Sequence, residues 1–169
     1  GEELQELIGD PWVLDKVRIV NHNAKDDACN KLIGYTERRG TPVRLNQAFI
    51  DADLRIVTGL VEPHFMAGYS GGRKVIAPGL AHSETIRTFH SGRFMADPAA
   101  SNCNFANNPL HEEQLEIVRM LGAVYAVNTV IDEGRNLQRI NFGEVTLSHA
   151  AMVEQTRSDC EVFLNRRYR

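Results

Sequence analysis

His64, Lys74 and His90 stand near one another in the chain, around its most glycine-rich stretch, GLVEPHFMAGYSGGRKVIAPG (residues 59–79). That stretch holds five glycines, two prolines and the adjacent pair Arg73–Lys74. Neutral imidazole can act as acid, base or metal ligand near pH 7, so His64 and His90 are the leading candidates for such work. Pro63 restricts the backbone beside His64 and helps fix the direction of its ring. His90 follows Ile86 and Phe89 at helical spacing and is expected on their inward side, as a hydrogen-bonded core residue or as a ligand. Gly68, Gly71 and Gly72 lack Cβ atoms, so the backbone can take positive φ and turn N–H groups toward an anion. Arg73 and Lys74 add positive charge nearby. A phosphate-bearing ligand is favoured over a plain surface turn. Neither common phosphate motif is present: Val75 follows Lys74, so the magnesium-binding hydroxyl of a P-loop is missing, and G-x-G-x-x-G does not occur. His22, His82, His111 and His149 fall at element ends or on polar faces and read as surface or capping residues.

The elements that must position these side chains follow from periodicity. An opening helix carries Leu4, Leu7 and Ile8 on one face. A short strand is expected at residues 17–20, and a β-hairpin on either side of Arg39–Gly40. QAFIDAD reads as a short helix. LRIVTGLVE is nearly continuous in its apolar character, as in a strand buried on both faces of a parallel sheet. The glycine loop follows it, which is where ligands bind in open α/β sheets. HSETIRTFHSGRFMA reads as one helix with Ser83 as N-cap. ASNCNFANNPL is a polar loop, HEEQLEIVRMLG a helix ended by Gly122, and VYAVNTVID a strand. EGRN turns the chain into LQRINFG, and TLSHAAMVEQTRSDC is a helix leading to the strand-like EVFLN. Strands alternating with helices indicate an α/β, Rossmann-like fold: one domain over residues 1–169, with a largely parallel sheet flanked by helices.

The 169 residues suffice for a single core, and a net charge of −3 gives no basic footprint for nucleic acid. No apolar run approaches a membrane span. Three cysteines at unrelated spacing (Cys29, Cys103, Cys160) argue against a disulfide framework and fit a reducing, cytoplasmic setting. The chain begins in a helix without an initiator Met and stops just after a strand-like stretch, so it reads as a piece excised from a longer polypeptide.

The stretch IVTGLVEPHFMAGYSGGRKVIAPG, with the later ETIRTFHS, resembles the N-terminal domain of the nickel-pincer lactate racemase family. RIVNHN, GTPVRLN and ADLRIVTG extend the resemblance to about residue 122. It implies that Lys74 forms a thioamide link to a pyridinium mononucleotide, the nickel-pincer nucleotide, with Gly71, Gly72 and Arg73 supporting the cofactor. It further implies that His90 is a nickel ligand, and that His64 is one of two histidines exchanging the substrate's hydroxyl proton while hydride moves to and from the cofactor. The implied substrate is a small 2-hydroxy acid such as lactate. The implied partners are a C-terminal domain of the same polypeptide and the cofactor-synthesis enzymes.

The departures from the family pattern carry expectations of their own. The second catalytic histidine belongs to a Gly-x-His-Arg segment upstream of the Glu-Glu-Leu helix with which this chain begins. The chain alone is therefore expected to lack bound cofactor and not to racemise its substrate. Two other readings stand beside this one. The first is a phosphate- or nucleotide-binding module without catalysis. The second is a metal-dependent hydrolase using His64 and His90 as zinc ligands, although the sequence offers no HExxH motif.

Overall fold

The computed structural model describes residues 2–161. It opens with two short helices, α1 (Glu2–Ile8) and α2 (Pro11–Lys16). Asp10 caps α2 by accepting the N–H groups of Trp12 and Val13, and Pro11 occupies the first turn, where no donor is needed. The apolar face expected from Leu4 and Leu7 falls on side chains outside the described ones. The strand expected at residues 17–20 does not form, and Val17 and Val20 are exposed. β-Branched residues favour a strand only where a neighbouring strand supplies hydrogen bonds and packing, and here none does.

The expected hairpin is present. β1 (Asn30–Tyr35) pairs antiparallel with β2 (Pro42–Asn46), from Asn30 opposite Asn46 to Tyr35 opposite Pro42. β2 turns Val43 and Leu45 fully into the core. Asn46 then caps the short α3 (Gln47–Ile50) by accepting the Phe49 N–H.

β3 (Ile56–Leu60) begins the main sheet, followed by a small ladder of β4 (Pro63–His64) with β5 (Gly68–Tyr69). The short helices α4 (Arg73–Ile76), α5 (Ser83–Phe89) and α6 (Gly92–Met95) come next. α7 (Pro109–Leu121) starts at Asn108, whose side chain accepts the Leu110 and His111 N–H groups, and it ends at Gly122 with φ +75°. β6 (Tyr125–Ile131) and β7 (Leu137–Glu144) complete the sheet, and α8 (Val145–Cys160) follows.

Two expectations fail here for physical reasons. The main sheet has the order β3-β6-β7, with β3 parallel to β6 but β6 antiparallel to β7. The other ladders are antiparallel too, so the fold is mixed α/β with small sheets rather than a largely parallel Rossmann sheet. A tight turn at Asp132–Asn136, closed by the Asn136 N–H on Asp132 Oδ1, leaves no room for the crossover that parallel strands require. β3, expected to be buried on both faces, is an edge strand: Val57 is buried, while Ile56 is about half exposed. The second failure is the single helix expected from Ser83 onward. His82, not Ser83, is its N-cap, through Nδ1 accepting the Glu84 N–H, and the helix breaks at His90–Ser91 into α5 and α6. The Ser91 hydroxyl donates back to the Thr88 carbonyl (2.7 Å), which closes α5 before Gly92 starts the next turn.

The core lies on one side of the main sheet, where Val57 and Ala126 meet Ile76, Phe89, Ile117, Val118 and Val145. The opposite side of the sheet carries Ile56, Tyr125, Ile131, Ile140 and Phe142, all exposed. The three cysteines are free thiols. Among the described residues no helix is long and apolar enough to cross a membrane.

Candidate active site

Every candidate side chain sits on the connection that leaves β3 and returns at β6. Its first part is the β4–β5 ladder, closed by the Ser70 N–H on the Glu62 carbonyl (2.9 Å) and the Ser70 hydroxyl on the Leu60 carbonyl (2.7 Å). This ladder carries His64. The ring's Nδ1 accepts the N–H groups of Met66 (3.3 Å) and Ala67 (3.2 Å), and the ring stacks on Phe65. Two donors on Nδ1 make it the lone-pair nitrogen, so neutral His64 carries its proton on Nε2. Burial lowers the His64 pKa below the ordinary histidine value, and the charges of Lys74, Arg73 and His90 lower it further.

Lys74 lies in the first turn of α4. Burial lowers its amine below the usual lysine range, Arg73 adds to the effect, and Glu62 opposes it. A less basic amine exposes more of its nucleophilic lone pair at neutral pH. His90 departs from the inward position expected of it. It ends α5 as an exposed residue, and its Nδ1 donates to the Ile86 carbonyl at 2.8 Å. That bond fixes the tautomer that leaves the Nε2 lone pair free to take a metal. His64, Lys74 and His90 line one recess of about 70 Å³, together with Phe89, Leu110 and Gln114.

Gly71, Gly72 and Arg73, expected to touch a cofactor, do not line this recess. They shape the turn that presents Lys74. Gly72 has φ +48°, and a Cβ there would come 2.5 Å from Cγ of His149, so α8 packs directly on its backbone. Gly71 has φ +75°, and its Cβ would meet Val61 Cγ2 at 2.7 Å. The Gly72 N–H donates to Asn128 Oδ1 (3.2 Å) rather than facing an anion. Arg73 turns its guanidinium inward, where Nη2 donates to the Ala67 carbonyl (2.7 Å) and Nη1 to the Tyr69 carbonyl (3.3 Å). The guanidinium also lies over the Phe105 ring, 4.8 Å from its centre. Burial pushes its pKa down to about 9, which still leaves it charged at neutral pH. An arginine committed to the two carbonyls flanking Gly68 ties the His64 ladder to the Lys74 turn.

Two histidines taken for surface or capping residues belong to this support. His149 is almost fully buried, and its Nε2 donates to the Ser70 carbonyl at 2.7 Å. His111 stacks flat on Phe105, with ring centres 4.0 Å apart. Burial, reinforced by Arg73, pushes each of them down to about 3. The signal for His149 was present in the sequence: with Met152, Val153 and Thr156 it forms a stripe at helical spacing, and all four residues are buried. His22 and His82 are also engaged, His22 with the Ala81 carbonyl and His82 as the cap already described.

The structure is a small mixed α/β unit that gathers a lysine of lowered basicity and two histidines around one recess. The chain belongs to the lactate racemase family, matching its N-terminal domain over residues 1–102. It is 33% identical over 148 residues to the lactate racemase of Lactiplantibacillus plantarum, covering 88% of this chain and 34% of that protein. It is 32% identical over 152 residues to the lactate racemase of Thermoanaerobacterium thermosaccharolyticum, covering 88% and 35%. The solved apoprotein structure of the latter superposes with a TM-score of 0.87 at 28% identity, over 91% of this chain and 36% of that one. A Thermotoga maritima protein shares the fold, with a TM-score of 0.73 at 18% identity, over 93% and 42%. The chain spans about a third of the length of the curated relatives it matches.

The residues present fit the cofactor that this family implies. Lys74 offers an amine for a covalent tether, and His90 offers one imidazole nitrogen with a free lone pair. Among the described residues no group of three or more His, Cys, Asp or Glu side chains could hold a metal ion. The recess is far smaller than the roughly 300 Å³ or more of a complete ligand pocket. It suits the head of such a group and leaves the body of a nucleotide outside.

Proposed function

We propose that this chain is the cofactor-holding part of a racemase or epimerase acting on lactate or a related 2-hydroxy acid. The observation that supports it is the convergence of His64, Lys74 and His90 on one recess. Lys74 would hold the nickel-pincer pyridinium mononucleotide through a thioamide, and His90 Nε2 would supply a protein ligand to nickel. When bound, that group would supply an acceptor for hydride, the chemistry that inversion at the carbon bearing the hydroxyl requires.

The rest is done by side chains of the chain. Nε2 is the ring nitrogen of His64 left free of the backbone. To take the substrate's hydroxyl proton there, His64 must carry its own proton on Nδ1, which means releasing the Met66 and Ala67 amides, so proton exchange at His64 is coupled to the backbone of the β4–β5 turn. Phe65 and Phe89 supply apolar walls that limit water beside the reacting atoms.

A phosphate-binding module without catalysis is the poorer account. The groups that would cradle the anion are committed elsewhere, Gly72 to Asn128 and Arg73 to two carbonyls. A zinc site shared by His64 and His90 is weakened by the two amides that occupy His64 Nδ1.

The test uses the protein at the full length of its relatives, produced together with the cofactor-synthesis enzymes. Intact mass and nickel content are read for the wild type, Lys74→Ala and His90→Ala. Lys74→Ala is expected to lose both the mass adduct and nickel, whereas His90→Ala keeps the adduct and loses nickel. An adduct retained in Lys74→Ala would overturn the assignment.

A further inference from the structure

Gln114 is out of place for its surroundings. It lies on the inward stripe of α7 with Leu110, Ile117 and Val118, and it is 1% exposed. Helical stripes that face a core are apolar, and the neighbours of Gln114 in the recess include Phe89, Leu110 and Pro78. A buried carboxamide is tolerated when it is hydrogen-bonded. Adjacent Glu113, equally buried, is compensated: its Oε1 accepts from the hydroxyls of Thr36 and Thr41, and its Oε2, which has no hydrogen bond, lies 3.6 Å from Arg39 Nε. Gln114 Oε1 is buried, with no hydrogen-bond partner among the described residues. An unpaired buried carbonyl destabilises the folded chain relative to an apolar residue of the same shape, so its presence here needs a compensating contact.

That contact is available in the recess that Gln114 shares with Lys74 and His90. We propose that Gln114 is a cofactor-binding residue whose carboxamide hydrogen-bonds the head of the group tethered at Lys74. The chemistry is matched. A neutral carboxamide offers one acceptor and two donors, the complement of an amide or thioamide, which presents one N–H and one C=O or C=S. Oε1 accepts the N–H of the linkage formed on Lys74, and Nε2 donates to an acceptor on the ring substituent. Gln114 lies beyond residues 1–102, where the match to the family's N-terminal domain ends. The inference rests on the cofactor reading above and adds to it a residue whose role is to position the bound group.

The test compares Gln114→Met with the wild type, both at full length, each with and without the cofactor-synthesis enzymes. Met keeps the length of the side chain and helical propensity while removing both polar atoms. Two readouts are expected to move in opposite directions. Without cofactor, the melting temperature of Gln114→Met rises by roughly 2–4 °C, since the unpaired carbonyl is gone. With cofactor, its loss of nickel to a chelator is about tenfold faster, as for the removal of one good hydrogen bond, and the adduct fraction by intact mass falls. Gln114→Leu, read in the same way, checks that the result does not depend on methionine's flexibility. A lower melting temperature in both variants with nickel held as tightly as in the wild type would make Gln114 a structural residue and overturn the inference alone. A wild-type protein that takes up no adduct would overturn the cofactor reading, and this inference with it.

Discussion

Arg73 is a buried cation held by two carbonyls and an aromatic face, and it acts on its neighbours through its field as well as its hydrogen bonds. His111 and His149 feel this most, each pushed down to about 3 by burial first and Arg73 second. Both stay neutral in the folded protein, whereas in the unfolded chain they take up protons near the ordinary value of 6.5. Between pH 6.5 and 3 the unfolded state binds more protons than the folded one, so stability falls as the pH is lowered through that window. Urea unfolding at pH 7.5 and pH 5.0 should show a loss of about 1–2 kcal/mol per histidine. His149→Gln keeps a donor for the Ser70 carbonyl and should lose about half of that pH dependence. An unchanged dependence would mean that His149 already protonates in the folded state. The grouping of His64, Lys74 and His90 was expected from the resemblance of their segments to a known family, not from their spacing, which alone left His90 as readily a core residue. The inward turn of Arg73 was not legible, because the ring that covers it, Phe105, comes from a polar loop whose composition gives no sign of burial. His90 was misplaced for the opposite reason: its helical phase was right, but α5 ends there, and a terminal residue is not bound by the phase of its helix.

At the scale of elements, the glycine loop works by contact. α8 approaches so closely that the His149 ring occupies the space where a Gly72 side chain would begin. Gly72→Ala combines a positive φ with a contact of 2.5 Å that a rigid imidazole cannot relieve, and it is expected to destabilise the fold by about 2–4 kcal/mol. Gly92→Ala meets nothing within 4 Å and should stay within about 0.5 kcal/mol of the wild type. Equal destabilisation of the two, measured by urea unfolding, would show that helix contact is not what requires glycine at position 72. The elements legible in the sequence are those fixed locally: the β1–β2 hairpin, α7 from His111 to its end at Gly122, and α8; the first turn of α7, capped by Asn108, was read as loop. Sheet topology was misjudged because strand direction depends on what joins the strands. β6 and β7 are joined by a turn whose shortness outweighs any apolar pattern.

On the scale of the whole molecule, helices cover one face of a three-stranded sheet, and among the described residues none covers the other. Ile56, Tyr125, Ile131, Ile140 and Phe142 share that open face, and Tyr125 stacks on Phe142 with ring centres 5.8 Å apart. Contiguous apolar surface of this kind binds hydrophobic dyes in the native state. This chain should therefore enhance the fluorescence of an anilinonaphthalene dye without denaturant, and Ile140→Lys together with Phe142→Lys should reduce that signal at least about twofold. A dye signal unaffected by both substitutions would place the accessible apolar surface elsewhere.

The parallel pairing of β3 with β6 sets Ile56 opposite Tyr125, and everything between them is the connection that carries His64, Lys74, His90 and Gln114. Closing so long a loop has an entropic cost that must be met before the pairing yields any gain, which makes this ladder slow to form. Val57 and Ala126 share one core cluster with Phe89 and Leu110, which line the recess, so a substitution that weakens the ladder there is expected to loosen the recess as well.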